Sequence, residues 1–458
     1  MNSHGITLLF VAHSPGVSGG AELSLLEIIF EAQRLGYTIH VTVTDEGDFK
    51  QLMEDRGIPC SVIHYGWWPH QADEKSTPEN IRDMEALERF RELIEASSCD
   101  LVLTNTSTVP WGALTAALND VPHIWLLSEF PVDRLAFLED TYGFIDAFSN
   151  LVFTASAGLR DFVSSRSGRQ DIRISRPYID VSRIQLGQGA ARPRVVNIGS
   201  RQPNKNQMEL LVALRALYET FGLRPEALLI GNELDMSYAE ALHGYATSNG
   251  MDDQVAFLPH QDNPYALLGP RDVVVQPSKS EAFSRVMVEV MKLGLIVVGA
   301  DIPGTRESFS LGQGHLYPAG RPDELAELLH SLLSQGEDAF SGVTEAGTPE
   351  LPALSKGACL DPLFDGVLEV LHQPNPASAL ASIKTLFTSA SMELIRRGEE
   401  IRELHVRLSA LQAEITTLRA APDHLVQEPS PHRSATNLGL GRRLTRALKS
   451  LGSKQPES

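Results

Sequence analysis

The feature that most constrains this chain is a strand–helix alternation that runs, lapses and starts again. "ITLLFVAH" at residues 6–13 is an apolar run of strand length, "GVSGG" a glycine turn, and "AELSLLEIIFEAQRLG" an amphipathic helix stopping at Gly36. "YTIHVTVT" is the next strand, and the rhythm continues through "DLVLTNTS", "WGALTAALNDV", "HIWLLSEF" and "LVFTASAGLRDFV". Strands separated by helices in this way imply a parallel sheet covered by helices. The periodicity lapses across "RPYIDVSRIQLGQGAARP" and resumes with "RVVNIGS", "NQMELLVALRALYETFG", "EALLIGN", "QVAFLPH", "DVVVQPS" and "IVVGAD". The fold class is therefore α/β: two Rossmann-like, doubly wound domains, over residues 1–176 and 194–371, joined by a linker at 177–193. Ligand is expected in the crevice outside the carboxyl ends of the strands.

Beyond "PLFDGVLEVLHQPNP" the pattern changes. Leu380, Ile383, Phe387, Ala390, Leu394, Ile401, Leu404, Leu408, Leu411, Ile415 and Leu418 keep alternating spacings of three and four, with Arg397 at one core position. A heptad seam of about five repeats predicts a coiled-coil helix over 376–420 and self-association through it. A single amphipathic helix lying on the body is the alternative. Residues 421–458 read as a disordered basic tail: Pro422, Pro429 and Pro431 break it, and Arg433, Arg442, Arg443, Arg446, Lys449 and Lys454 outnumber its acids. Within it "LGLGRRLTRALKSLG" places Leu444, Leu448 and Leu451 on one helical face, which would suit contact with an anionic membrane surface; a solvated tail or a partner-docking helix is the alternative.

Composition narrows the partners. At 458 residues the chain is too long for one ordinary core, which fits two domains plus accessories. A net charge of -19 argues against nucleic acid as a partner. Cys60, Cys99 and Cys359 offer neither a disulfide framework nor zinc-ligand spacing, which suits a reducing compartment. The opening apolar run is read as a first strand, not a signal peptide, and no run approaches the about 20 apolar residues of a spanning helix. The expectation is a cytoplasmic protein, at most peripheral at the inner face of a membrane.

One stretch carries a contradiction. In "SEAFSRVMVEVMKLG", Val286, Glu289, Val290 and Leu293 share a helical face, so a carboxylate lies in an apolar stripe and must find a partner in protein or ligand. The strand "DVVVQPS" ends at Ser278, which makes "KSEAFS" a strand-to-helix loop with Glu281 at its mouth and Ser284 as the N-cap. A helix N-terminus there is a ready anion site. A diphosphate seated on it would bring one flanking sugar to each carboxylate, and ribose hydroxyls would satisfy Glu289. On the first strand of the second half, Gly199 allows a turn in "NIGSRQPNKNQ", where Arg201 and Lys205 offer cations to phosphate oxygens. Such cations stand in for a metal, no D-x-D pair being found at a strand end.

These elements resemble the retaining GT-B glycosyltransferases of family four, through most of residues 5–371. The sharpest match is E-x(7)-E, Glu281 to Glu289, followed by "MKLGLIVVGADIPGTRE" with its terminal Glu307; the second is Gly199 with Lys205 six residues on. The resemblance implies that Glu281 contacts donor-sugar hydroxyls, Glu289 the ribose and Lys205 the diphosphate. It places Phe283 and Ser284 beside the donor, and it makes Gly19 and Gly20 of "GVSGGAE" a glycine loop closing over acceptor and donor phosphates. Three departures accompany it. Arg201 falls one place late, with Ser200 after the glycine; Ala282 and Ser284 replace glycines; and Ser128-Glu129 stands where many members carry a histidine.

The implied function is metal-independent, cofactor-free transfer from a nucleotide-diphosphate sugar, held by the second half, to a glycan or lipid-linked acceptor entering from the first. Glu129 after its apolar strand and His13 after the first strand are the acceptor-side candidates. For His13 a satisfied structural histidine competes with that role, and for Arg201 a surface charge competes with a phosphate contact. Glu22 is equally readable as a first-turn helix acid. Trp67-Trp68 reads either as a sugar platform or as packing under a loop. A dinucleotide oxidoreductase is disfavoured because "GVSGG" fails G-x-G-x-x-G. Two other readings remain: a sugar-nucleotide epimerase of the same fold, and a non-catalytic GT-B scaffold acting through its coiled coil.

Overall fold

The computed structural model describes residues 5–67, 77–130, 141–182, 184–334 and 351–377, with residue 407. Every residue of the predicted heptad seam and all of the basic tail lie outside the described residues, which include only 376, 377 and 407 of the predicted coiled-coil segment.

Among the described residues, thirteen strands form two parallel sheets. The first holds β1 (Thr7–Val11), β2 (Thr38–Val43), β3 (Cys60–Val62), β4 (Leu101–Asn105), β5 (His123–Leu127), β6 (Leu151–Thr154) and β7 (Arg173–Ile174), in the order β3-β2-β1-β4-β5-β6-β7. The second holds β8 (Val195–Ile198), β9 (Ala227–Ile230), β10 (Val255–Leu258), β11 (Val273–Gln276), β12 (Ile296–Ala300) and β13 (His315–Tyr317), in the order β10-β9-β8-β11-β12-β13. Every pairing is parallel, as continuous apolar strands buried on both faces demand. In each sheet the winding direction reverses once, between β1 and β4 and between β8 and β11. Those reversals are where such sheets leave a crevice for ligand.

The helices bury the faces that their spacing dictates. Helix Gly20–Leu35 turns Leu25, Leu26, Ile28 and Ile29 inward against the first sheet, and helix Gln207–Phe221 does the same in the second with Leu210, Leu211, Leu214 and Leu217. Each such side chain contributes about 1.5–3 kcal/mol of transfer free energy. Both sheets belong to one compact unit. Among the described residues, no helix or strand longer than an isolated turn interrupts the connection between Ile174 and Val195.

Two expectations are corrected here. Helix Lys356–Val370, assigned from sequence to the second domain, packs against the first sheet. Phe364 stacks on Tyr37 with ring centroids 5.9 Å apart, and Lys356 pairs with Glu31 at 2.5 Å. The second correction concerns helix Arg285–Lys292. Its buried face is Met287, Val288, Val290 and Met291, so Glu289 lies at the border of the apolar stripe rather than within it. Gly294, at φ 71°, ends the segment as its position indicates.

Candidate active site

The carboxyl ends of β8 and β11 bring together the two elements that sequence reading singled out separately. Lys205 ends a short 3-10 turn, Pro203–Lys205, after β8; Glu281 lies in the loop after β11. Their side chains meet, Nζ to Oε1, at 2.5 Å, and the Ser278 hydroxyl donates to the same oxygen at 2.8 Å. The backbones are tied as well. Lys279 N donates to Asn204 O at 2.9 Å, and the Asn204 amide to Ser280 O at 3.1 Å. Ser284 then caps helix Arg285–Lys292 by position only, for no side chain bonds its first N–H groups. A positive helix end therefore opens beside a lysine and a carboxylate.

These groups face a cleft of about 600 Å³ between the two sheets. The second lobe contributes Gly199, Ser200, Lys205, Glu281, Phe283, Ser284, Arg285 and Glu289 to its wall, and the first lobe contributes Gly19, Gly20, Ser24, Ser128 and Glu129. The glycine turn approaches so closely that a Cβ on Gly20 would stand 3.4 Å from Arg285 Cδ. Glu129 is held rigidly. Its Oε1 accepts from Ser107 N at 2.6 Å and Ser107 Oγ at 2.7 Å, its Oε2 from Ser128 N at 3.2 Å. Burial raises its pKa against the lowering effect of those bonds.

Glu289 has a protein partner, which corrects the reading that ribose alone satisfies it. The Tyr265 hydroxyl donates a short hydrogen bond to Oε2, while Oε1 lies 3.7 Å from Arg285 Nη2. Burial, reinforced by that neighbouring carboxylate, raises the Tyr265 pKa well above its ordinary value, so the phenol stays a donor. One carboxylate oxygen is thus held by protein, and among the described residues the other has a cation at 3.7 Å, beyond hydrogen-bonding distance. Arg285 reaches across to the first lobe, donating to Ser24 Oγ at 3.2 Å and Tyr178 O at 3.3 Å.

Arg201 does not line the cleft. It continues the extended run after β8, with its N–H on Asn232 O at 2.7 Å, and in extended chain alternate side chains point opposite ways. Ser200 therefore takes the cleft wall. The Arg201 guanidinium turns inward to Leu258 O at 3.1 Å and Glu233 Oε1 at 3.1 Å. His13 does not line the cleft either. Its Nε2 is 3.2 Å from Glu22 Oε1 and its Nδ1 3.5 Å from the Asn105 amide, the geometry of the structural alternative. Burial raises the Glu22 pKa, but the hydrogen bond and charge of His13 outweigh it and the net shift is downward. The Trp67 indole bonds His13 O at 3.1 Å, which favours packing under a loop for that residue; Trp68 lies outside the described residues.

Sequence reasoning missed Tyr265 and Arg285. Arg285 stood inside the quoted segment as a cation in the first helical turn. Tyr265, in "NPYALLGP", carried no signal apart from a lone aromatic among turn residues.

Comparison with known proteins agrees with this geometry. Residues 179–341 match the family described as Glycosyl transferases group 1. D-inositol 3-phosphate glycosyltransferase of Rhodococcus jostii (strain RHA1) is 30% identical over 197 residues, 41% of this chain and 42% of that protein. GDP-Man:Man(3)GlcNAc(2)-PP-Dol alpha-1,2-mannosyltransferase of Dictyostelium discoideum is 25% identical over 216 residues, 43% of each. The chain thus spans less than half the length of these curated relatives. Among solved structures, Anabaena Alr3699/HepE in complex with UDP and glucose superposes with TM-score 0.63 at 21% identity, covering 80% of this chain and 100% of that one. TarM superposes with TM-score 0.61 at 10% identity, covering 81% and 99%. At such identities the likeness establishes the fold, GT-B.

Proposed function

We propose that this chain is a glycosyltransferase that takes a nucleotide-diphosphate sugar and transfers the sugar, with retention and without a metal, to a hydroxyl of a glycan or lipid-linked acceptor. The observation that carries the reading is the Lys205–Glu281 pair, at 2.5 Å, beside the uncapped helix end at Ser284 in the interlobe cleft. The match to Glycosyl transferases group 1 over 179–341 and the relatives' names support it.

In this reading the diphosphate seats on the helix end and Lys205, which releases Glu281 to accept from donor-sugar hydroxyls. Glu289 Oε1 takes a ribose hydroxyl while Tyr265 holds Oε2. The acceptor hydroxyl enters past Gly19, Gly20 and Glu129. Its oxygen bonds the anomeric carbon as the bond to the diphosphate oxygen breaks, and its proton passes to that leaving oxygen. Lys205 and the helix dipole stabilise the charge that develops there. We place the enzyme with family four and in the cytoplasm. Self-association through 376–420 and peripheral membrane contact through 421–458 belong to the same proposal, and among the described residues no helix is long and apolar enough to cross a membrane.

The test is calorimetric titration with UDP and GDP, followed by release of free sugar from UDP-glucose and GDP-mannose without acceptor. Binding of one nucleotide together with slow donor hydrolysis is expected. Binding without any turnover would favour the scaffold, interconversion of the sugar without transfer the epimerase, and no binding would overturn all three.

A further inference from the structure

Glu307 closes the "DIPGTRE" segment, and no step above uses it. It belongs to helix Pro303–Ser310 of the second lobe, yet its carboxylate ends on the first. Oε2 accepts from Ala157 N at 2.7 Å and Gly158 N at 3.3 Å, Oε1 from Ala157 N at 3.0 Å and Arg176 Nη2 at 3.1 Å. These amides open helix Ala157–Ser167, whose own N-cap, Ser156, takes only the Leu159 N–H, at 3.2 Å. The first turn of a first-lobe helix is thus completed by a carboxylate from the other lobe, where the helix dipole favours negative charge.

The other end of the Glu307 helix rests on the loop that carries Glu281. A Cβ on Gly304 would stand 1.9 Å from Glu281 O and 3.0 Å from Ala282 O, so the helix start is seated directly on that backbone. A second contact leads the same way. The Ala282 methyl is buried in an apolar cluster of the first lobe with Trp125, Leu127, Leu159 and Val163, the last two from helix Ala157–Ser167. Helix Ala157–Ser167 starts just after Ala155, which lines the cleft. The Glu281 loop is therefore bound to that helix both by packing and by an ionic cap.

We infer that Glu307 is a positioning residue: it sets the register between the acceptor-side lobe and the loop presenting Glu281 to the donor. The inference rests on the transferase reading for its catalytic consequence but not for its structural one. A misplacement near 1 Å between reacting groups is enough to cost about 100-fold in rate. Nucleotide binding, which in the proposed reading rests mainly on Lys205, Glu289 and the helix end of the second lobe, should be largely spared.

The experiment compares Glu307→Ala and Glu307→Asp, whose shorter side chain does not span the gap, with Ser156→Ala, which weakens the same helix end without touching the lobe contact. In both Glu307 variants the Ala157 and Gly158 amides should exchange hydrogen at least about tenfold faster. Turnover of UDP-glucose or GDP-mannose, whichever wild type uses, should fall about 10- to 100-fold. Affinity for the matching nucleotide diphosphate should stay within about twofold. Ser156→Ala should lower the melting temperature and keep turnover near wild type. Unchanged amide exchange in the Glu307 variants, or faster exchange with wild-type turnover, overturns the inference, as does an equal turnover loss in Ser156→Ala. A wild-type protein that binds no nucleotide fails the transferase reading instead, and the exchange measurement then still decides whether Glu307 holds the lobes. If Glu307→Ala does not fold, Glu307→Gln, which keeps the shape and loses the charge, carries the same comparison.

Discussion

Glu289 offers the test with the most structure behind it, because its two oxygens have different surroundings. Tyr265 donates to Oε2, and Oε1 has only Arg285 at 3.7 Å, outside hydrogen-bonding distance. If a ribose hydroxyl donates to Oε1, Glu289→Ala removes a charge-assisted hydrogen bond worth about 1.5–3 kcal/mol, or about 10- to 150-fold in nucleotide affinity. The same variant strands the buried Tyr265 hydroxyl, costing about 1–3 kcal/mol of stability. The two losses separate in the double variant Glu289→Ala/Tyr265→Phe. With both partners gone the Tyr265 hydroxyl is no longer stranded, so that part of the stability returns, while Arg285 still lacks its neighbouring carboxylate and the affinity loss stays. Calorimetry with UDP and GDP measures the first quantity, and urea midpoints of the single and double variants measure the second. Nucleotide affinity within about twofold of wild type in Glu289→Ala, with stability reduced, would refute the ribose assignment and leave Tyr265 and Arg285 as the sole partners.

Three further outcomes are expected. Lys205→Ala and Glu281→Gln should each lower turnover by about two to three orders of magnitude with the fold retained, since in the proposed reading the first removes a charge that stabilises the leaving diphosphate and the second a carboxylate that positions the donor sugar; wild-type rates in either would reject the site. Glu31, whose carboxyl is held down to about 2 from 4.5 by Arg34 and, after the opposing effect of burial, Lys356, contributes stability that is complete above about pH 4.5 and lost as pH falls toward 2. Glu31→Gln should therefore flatten that limb of the acid-unfolding curve and leave the neutral limb parallel to wild type. Asp272, just before β11, receives two bonds from the Arg194 guanidinium, at 3.0 and 2.7 Å, so Asp272→Ala should cost about 3–5 kcal/mol in urea unfolding by leaving a buried guanidinium without its counter-ion.

The interior of the fold was legible in the sequence, and its margins were not. Strands such as Leu8–Phe10 and Val273–Val275 are wholly buried, so their apolar runs stand out. The strands that went unread, β3, β7 and β13, each pair on one side only, run for three residues or fewer, and are mostly half-buried or exposed. Nothing forces such strands to be apolar. The return of helix Lys356–Val370 to the first sheet was hidden for another reason: its pattern shows that one face is covered, not by which lobe. At the site, residue types after strand ends pointed to Lys205, Glu281 and Glu129, and a carboxylate on an apolar helical face to Glu289; all four line the cleft. Which way a side chain turns was harder. Arg201 and Ser200 differ by one step along an extended backbone, and that step decides which of them meets the cleft.

Two of the three departures from the family pattern, the displaced Arg201 and the glycines replaced by Ala282 and Ser284, become intelligible together. The Ala282 methyl packs into the first-lobe cluster, turned away from the ligand side, so it adds an interlobe contact without crowding a diphosphate. Ser284 bonds none of the first-turn N–H groups, which leaves the helix end as open as a glycine would. Arg201 binds Glu233 and the carbonyl of Leu258, bracing the ends of β8, β9 and β10 on the far side of the cleft. The groups left facing the proposed diphosphate are then the helix end and Lys205, with Arg285 beyond them. A chain that spends its extra arginine on the frame and its extra methyl on the lobe contact has lost no cation that its own geometry had aimed at the cleft. On that ground these two departures weigh less against the proposed transfer chemistry than their number implies.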